Sequence, residues 1–81
     1  MTSEIFNKRY FILPRVEIGH LRFILESYDG LAFARTLDKQ KGLVEIAYPP
    51  SRTRDVESLL KDLTSEVGLQ ELDAPKQIPP I

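Results

Sequence analysis

The sequence predicts an α+β domain whose elements run β-α-β-β-α, with a fourth strand short or absent. Three observations carry this. Two segments, 14–28 and 56–67, repeat apolar residues at helical spacing. Three short runs, KRYFIL (8–13), LAFARTL (31–37) and LVEIAY (43–48), are rich in β-branched and aromatic residues. Proline or glycine marks the junctions between them.

Residues 1–7 read as a loose lead-in. In the first strand, Lys8 to Leu13, both alternating sets are apolar: Tyr10 and Ile12 on one face, Phe11 and Leu13 on the other. Such a strand is expected to be central and covered on both sides. Pro14 then opens a helix, where its missing N–H costs nothing. Ile18, Leu21, Leu25 and Tyr28, with Ile24 beside them, form its core stripe. Asp29-Gly30 ends it, with Gly30 suited to a left-handed C-terminal cap. The second and third strands are joined by the polar loop DKQKG, in which Gly42 can take positive φ. The expected register sets Leu37 opposite Leu43, Arg35 opposite Glu45 and Phe33 opposite Ala47. The other sheet face then pairs Thr36 with Val44, Ala34 with Ile46, and Ala32 with Tyr48. Pro49-Pro50 stops the third strand, and Ser51 or Thr53 can cap a second helix. Val56, Leu59, Leu60, Leu63 and Val67 give that helix a continuous apolar stripe, and Gly68 ends it. Leu69 to Leu72 can add a short edge strand. Residues 8–72 thus form a single domain, and 73–81 a proline-rich extended tail.

A helix crossover followed by a hairpin places the third strand beside the first. This is the split β-α-β arrangement of ferredoxin-like two-layer sandwiches. Both helices are expected on the face carrying Ala32, Ala34, Val44, Ile46 and Tyr48. The opposite face would then carry Phe11, Leu13, Phe33, Arg35, Leu37, Leu43 and Glu45. An uncovered apolar face of that kind marks an interaction surface.

With 81 residues, 42% hydrophobic and 28% charged, the composition is that of one small globular domain. No cysteine is present, which excludes disulfides, thiolate zinc sites and cysteine nucleophiles and fits a reducing cytoplasm. The opening MTSEIFNKRY lacks the apolar run of a signal peptide, and no stretch approaches the roughly 20 apolar residues that cross a bilayer. A net charge of −1 gives no support to a nucleic acid or membrane partner. There is one histidine, no glycine-rich phosphate loop and no nucleophile elbow, so no catalytic residue, metal ligand or cofactor is assigned.

The run YFILPRVEIGHLRFILESYDGLAFARTLD, followed by KGLVEIAYPP, resembles a family of short bacterial proteins that share a domain of unknown function. The resembling features are the aromatic first strand, the EIxxLxFILE-type helix, the YDGLA-type junction and a hairpin ending near proline. They cover about Tyr10 to Pro50 and, less distinctly, the second helix. The resemblance implies a compact α+β domain in a cytoplasmic bacterial protein, and carries over no activity. The topology is also similar to that of ACT-type domains, which is an analogy of fold alone.

Residues left over from the core are the candidates for function. Val16, His20 and Phe23 lie roughly 100–160° from the centre of the first helix's core stripe, where they offer a second apolar contact. Glu17 and His20 form a single E-x-x-H pair, too few ligands for a di-iron site. Asp29 at the Tyr-Asp-Gly corner has the chemistry of a turn. Arg52 and Arg54 precede the second helix, where a phosphate could bind. The leading expectation is a cytoplasmic, non-catalytic interaction or regulatory module that forms a homodimer. Its interface candidates are Phe11, Val16, His20, Phe23, Phe33, Arg35, Leu37, Leu43 and Glu45. Two alternatives stay open: an RNA-associated domain using Phe11, Phe33 and Arg35, and a sensor of a small ligand at a subunit interface.

Overall fold

A computed structural model describes residues 5–28 and 30–74. Strand β1 spans Asn7–Ile12, β2 Phe33–Asp38, β3 Leu43–Tyr48 and β4 Gln70–Leu72. Helix α1 spans Ile18–Glu26 behind a 3₁₀ turn at Arg15–Glu17. Helix α2 spans Thr53–Glu66 behind a second 3₁₀ turn at Pro50–Arg52. The strands form one sheet in the order β2-β3-β1-β4, each pair antiparallel. With both helices on one face, this is the expected ferredoxin-like two-layer arrangement, and the fourth strand is present but short.

The hairpin register is the expected one over most of its length. Phe33 faces Ala47, Ala34 faces Ile46, Arg35 faces Glu45 and Thr36 faces Val44. It departs at the loop end, where Asp38 rather than Leu37 pairs with Leu43 and Leu37 is the extra residue of a bulge. A bulge of this kind sharpens the local twist and breaks the pairing edge. At the other side of the loop Gly42 has φ 71° and accepts a hydrogen bond from the Leu13 N–H at 3.1 Å, tying the hairpin to the end of β1.

The core lies between the helices and one sheet face. Leu21 and Leu25 descend from α1, and Val56, Leu59, Leu60 and Leu63 from α2. They meet Val44, Ile46, Tyr48 and Ala32 as expected, and also Phe11 and Leu13. That last pair corrects the expected placement. β1 sets Phe11 opposite Val44 and Tyr10 opposite Glu45, so Phe11 shares the helix-covered face and is only 3% exposed. Tyr10 and Ile12 take the other face instead. The pattern within β1 is apolar on both sides, so the choice falls to its register on β3.

Two further expectations are corrected. Tyr28 is exposed rather than part of the core stripe, because α1 ends at Glu26 and the chain has left the helical path. Neither Ser51 nor Thr53 caps α2 through its side chain; the Thr53 hydroxyl donates instead to the Pro50 carbonyl at 2.7 Å, across the 3₁₀ turn. The expected roles of Asp29 and of the tail from Pro75 onward lie outside the described residues, as does most of the lead-in.

Candidate interaction surface

Opposed residues of antiparallel strands point to the same side, so the ladder defines the face turned away from the helices row by row. One row is Phe33, Ala47 and Lys8. The central row is Arg35, Glu45, Tyr10 and Leu72. The third is Leu43, Ile12 and Gln70. Phe6 extends the first row, with its ring stacked on Phe33 at a centroid distance of 6.0 Å and an interplanar angle of 23°. Phe33 remains 53% exposed, and Ile12 and Phe6 are also exposed.

In the central row Tyr10 and Glu45 are buried, and Arg35 and Leu72 are half-buried. Arg35 Nε and Nη2 donate to Glu45 Oε1 and Oε2 at 3.4 and 3.3 Å, a two-pronged pair whose carboxylate is almost wholly enclosed. Tyr10 flanks the same carboxylate on β1. Burial pushes its phenol above the ordinary value, the Glu45 hydrogen bond and charge add to this, and Arg35 pulls slightly the other way. A charge taken out of water must be paired to be tolerated, and the Arg35 fork supplies the pairing. The face therefore offers a neutralised polar centre framed by aromatic and aliphatic side chains. Tyr, Phe and Arg are the residues that interface centres favour.

The remaining candidates fall elsewhere. Leu37 sits half-buried in its bulge, and Leu43 is half-buried on the open face. Val16, His20 and Phe23 form a second surface on the outer side of α1, with Val16 85% and Phe23 70% exposed. Glu17 Oε1 lies 3.3 Å from His20 Nδ1, and among the described residues no third acidic or histidine side chain joins them as a metal site. Arg52 is 3.8 Å from Asp55 within its own turn, and so partly neutralised. A cleft of about 250 Å³ opens between α1 and β2, lined by Arg22, Leu25, Glu26, Tyr28, Ala32 and Phe33, among others. At the opposite edge Arg9 clamps β4, donating from Nε and Nη2 to the Glu71 carboxylate at 2.8 and 2.6 Å. That guanidinium holds the Glu71 carboxyl below the usual range.

A family model described as Domain of unknown function (DUF4911) matches residues 11–67. The chain belongs to this family. No curated protein and no solved structure matches it. The matched span runs from inside β1 to the residue after α2, and so contains α1 and the whole Arg35–Glu45 hairpin. The resemblance seen in the sequence is thereby borne out at the level of the family.

Sequence reasoning placed Phe33, Arg35, Leu43 and Glu45 together correctly and put Phe11 with them wrongly. With Phe11 in the core, the RNA alternative loses one of the three residues it was built on, while Phe6 and Tyr10 stand as other aromatics on that face. Tyr10, Ile12 and Phe6 were missed. Tyr10 and Ile12 were readable as one side of β1, but the register that selects that side is a tertiary fact. Phe6 falls in the segment read as lead-in. Among the described residues no helix is long and apolar enough to cross a membrane.

Proposed function

We propose that this protein is a small cytoplasmic interaction or regulatory module, without catalytic activity of its own, that dimerises through its open sheet face. The observation that carries the reading is the stacked Phe6–Phe33 pair, exposed beside a half-buried and internally compensated Arg35–Glu45 pair. A ligand-binding centre would leave such charges available to a ligand. Here they already satisfy each other, and what remains outward is chiefly Phe6, Phe33 and Ile12, with Lys8 and Gln70 at the margins.

Size supports the same reading. Four strands about 4.8 Å apart, with residues rising about 3.3 Å each, span roughly 20 by 20 Å. Two such faces bury on the order of 1,000 Å² once side-chain relief is counted, the lower bound for a specific interface. A concentration-dependent dimer follows. Edge-to-edge growth is the less favourable route, because the Leu37 bulge interrupts the free edge strand β2 and Arg35 and Asp38 place charges along it.

The test is absolute molar mass by light scattering across a concentration series. Covering the exposed half of Phe33, roughly 100 Å² of apolar surface, contributes about 2.5 kcal/mol per copy. Phe33→Glu is therefore expected to leave a monomer at concentrations where the parent is a dimer, with an unchanged far-ultraviolet circular dichroism spectrum. Equal masses for the two proteins would refute the proposed interface.

A further inference from the structure

We propose that the outer face of α1 is a second self-contact, in which two copies lay this helix antiparallel and the Phe23 ring of each seats over Gly19 of the other. The argument begins with Gly19. Glycine inside a helix is unfavourable relative to alanine, because it gives up more chain freedom. Within one copy nothing requires it. Its φ is not positive, and a Cβ built there would meet no atom within 4 Å. The missing side chain leaves a notch on the outer side of the helix, between Val16 one turn before and Phe23 one turn after. Those two are the most exposed large apolar residues of the helical segment.

A notch next to a projecting ring is self-complementary in one orientation. Place a two-fold axis at the level of Leu21, and position 19 of one helix comes level with position 23 of the other. Two-fold contacts are reciprocal, so both notches fill at once. A parallel pair would set ring against ring and notch against notch, and would fill neither. The flanking charges agree with the antiparallel choice. Arg15, in the 3₁₀ turn that precedes α1, and Glu26, the last residue of α1, stand at opposite ends of this segment. In the antiparallel pair each Arg15 comes within about one residue's rise of the other copy's Glu26. Glu26 has no ion pair among the described residues, while Arg15 bonds only the neutral Gln40 there.

This contact is independent of the sheet face, which lies on the other side of the molecule. It is also small. A helical segment roughly 18 Å long, in a strip about 10 Å wide, buries well under the roughly 1,000 Å² of a stable interface. It therefore forms weakly by itself and links dimers at higher concentration.

Light scattering of the full chain over a wide concentration range tests it, with Gly19→Gln, Phe23→Ser and Phe33→Glu beside the parent. The parent is expected to rise past the dimer mass. Gly19→Gln should weaken this step at least tenfold and yet raise the melting temperature, since glutamine favours the helix and its Cβ has open space. Phe23→Ser should weaken the same step without that gain. Phe33→Glu should keep the weak step and lose the dimer. If Gly19→Gln and Phe23→Ser change only the melting temperature, or if the parent stops at the dimer and neither variant alters it, the helix contact is overturned and the sheet dimer stands. If Phe33→Glu is without effect while Gly19→Gln abolishes association, the helix contact stands and the sheet-face reading falls.

Discussion

Replacing Gly42 by alanine tests how the hairpin is seated against β1. Two costs can be worked from the geometry. Gly42 has φ 71°, a left-handed conformation that costs an alanine roughly 1–2 kcal/mol. The added Cβ would also stand 3.2 Å from the Leu13 carbonyl carbon and overlap its oxygen, and both are backbone atoms that no side-chain rotation can move. Relieving that overlap pulls the loop from the end of β1 and lengthens the 3.1 Å bond from Leu13 N–H to Gly42 O. Breaking a hydrogen bond in a buried setting adds about 1–3 kcal/mol. The total, about 2–5 kcal/mol, compares with about 8 kcal/mol for a domain of this length at a typical stability per residue. With a urea dependence of about 1.5 kcal/mol per molar, the midpoint should fall by about 1.3–3.3 M. Gly30→Ala is the control. It carries the same φ of 71° but has open space around its Cβ, so only the roughly 1–2 kcal/mol conformational cost applies. Urea unfolding followed by circular dichroism measures both. If Gly42→Ala is no more destabilising than Gly30→Ala, the close approach to Leu13 is not what the position requires.

Three further outcomes are expected. Ile46, wholly buried at the sheet centre, should cost about 2–5 kcal/mol when cut to alanine, whereas Phe23→Ala on the exposed helix face should leave the urea midpoint nearly unmoved. Arg35→Met should destabilise by about 2 kcal/mol, less than for a fully buried pair because the guanidinium is partly solvated. Adding Glu45→Met should recover most of that loss, and a double-mutant cycle in urea would show whether the coupling exists. The Arg9 clamp makes stability depend on acid: Glu71 titrates lower in the folded chain than in the unfolded one. Its contribution is therefore present at neutral pH and is lost as the pH falls through the folded value, below the ordinary glutamate range. Glu71→Gln should flatten the acid limb of a plot of urea midpoint against pH, modestly, since the carboxylate is about half exposed; a limb of unchanged steepness would show that the clamp is not ionic in effect.

Local rules carried much of this fold. The hairpin was legible because opposite charges at Arg35 and Glu45 and a glycine at the loop's end agree on one register. Helix α2 was legible because its apolar spacing is unbroken from Val56 to Val67. Three features were not. The face chosen by β1 depends on pairing with β3, and a strand apolar on both sides has no local preference to reveal it. Tyr28 fits the helical spacing of α1 arithmetically, but the helix ends before reaching it. The bulge at Leu37 arises because Asp38, not Leu37, is the partner of Leu43, and the Asp38 carboxylate then accepts the Lys41 N–H at 3.1 Å inside the loop. Of the site, the exposed residues of α1 were readable, since a helix nine residues long separates its faces. The sheet surface was half readable, needing the one register that sequence alone left free.

The short β4 sets the weakest seam of the molecule. It is held to β1 by three opposed pairs and one carboxylate fork, while its partners lie at the far end of the chain. Little apolar burial depends on it beyond Leu69 and the half-buried Leu72. The segment can therefore let go while the other three strands and both helices stay native, an opening far less costly than global unfolding. Backbone amides of Gln70–Leu72 would then exchange with solvent long before those at the centre of β3. Each such opening bares the outer edge of β1 at Tyr10–Ile12, a transient strand-shaped vacancy in an otherwise folded protein.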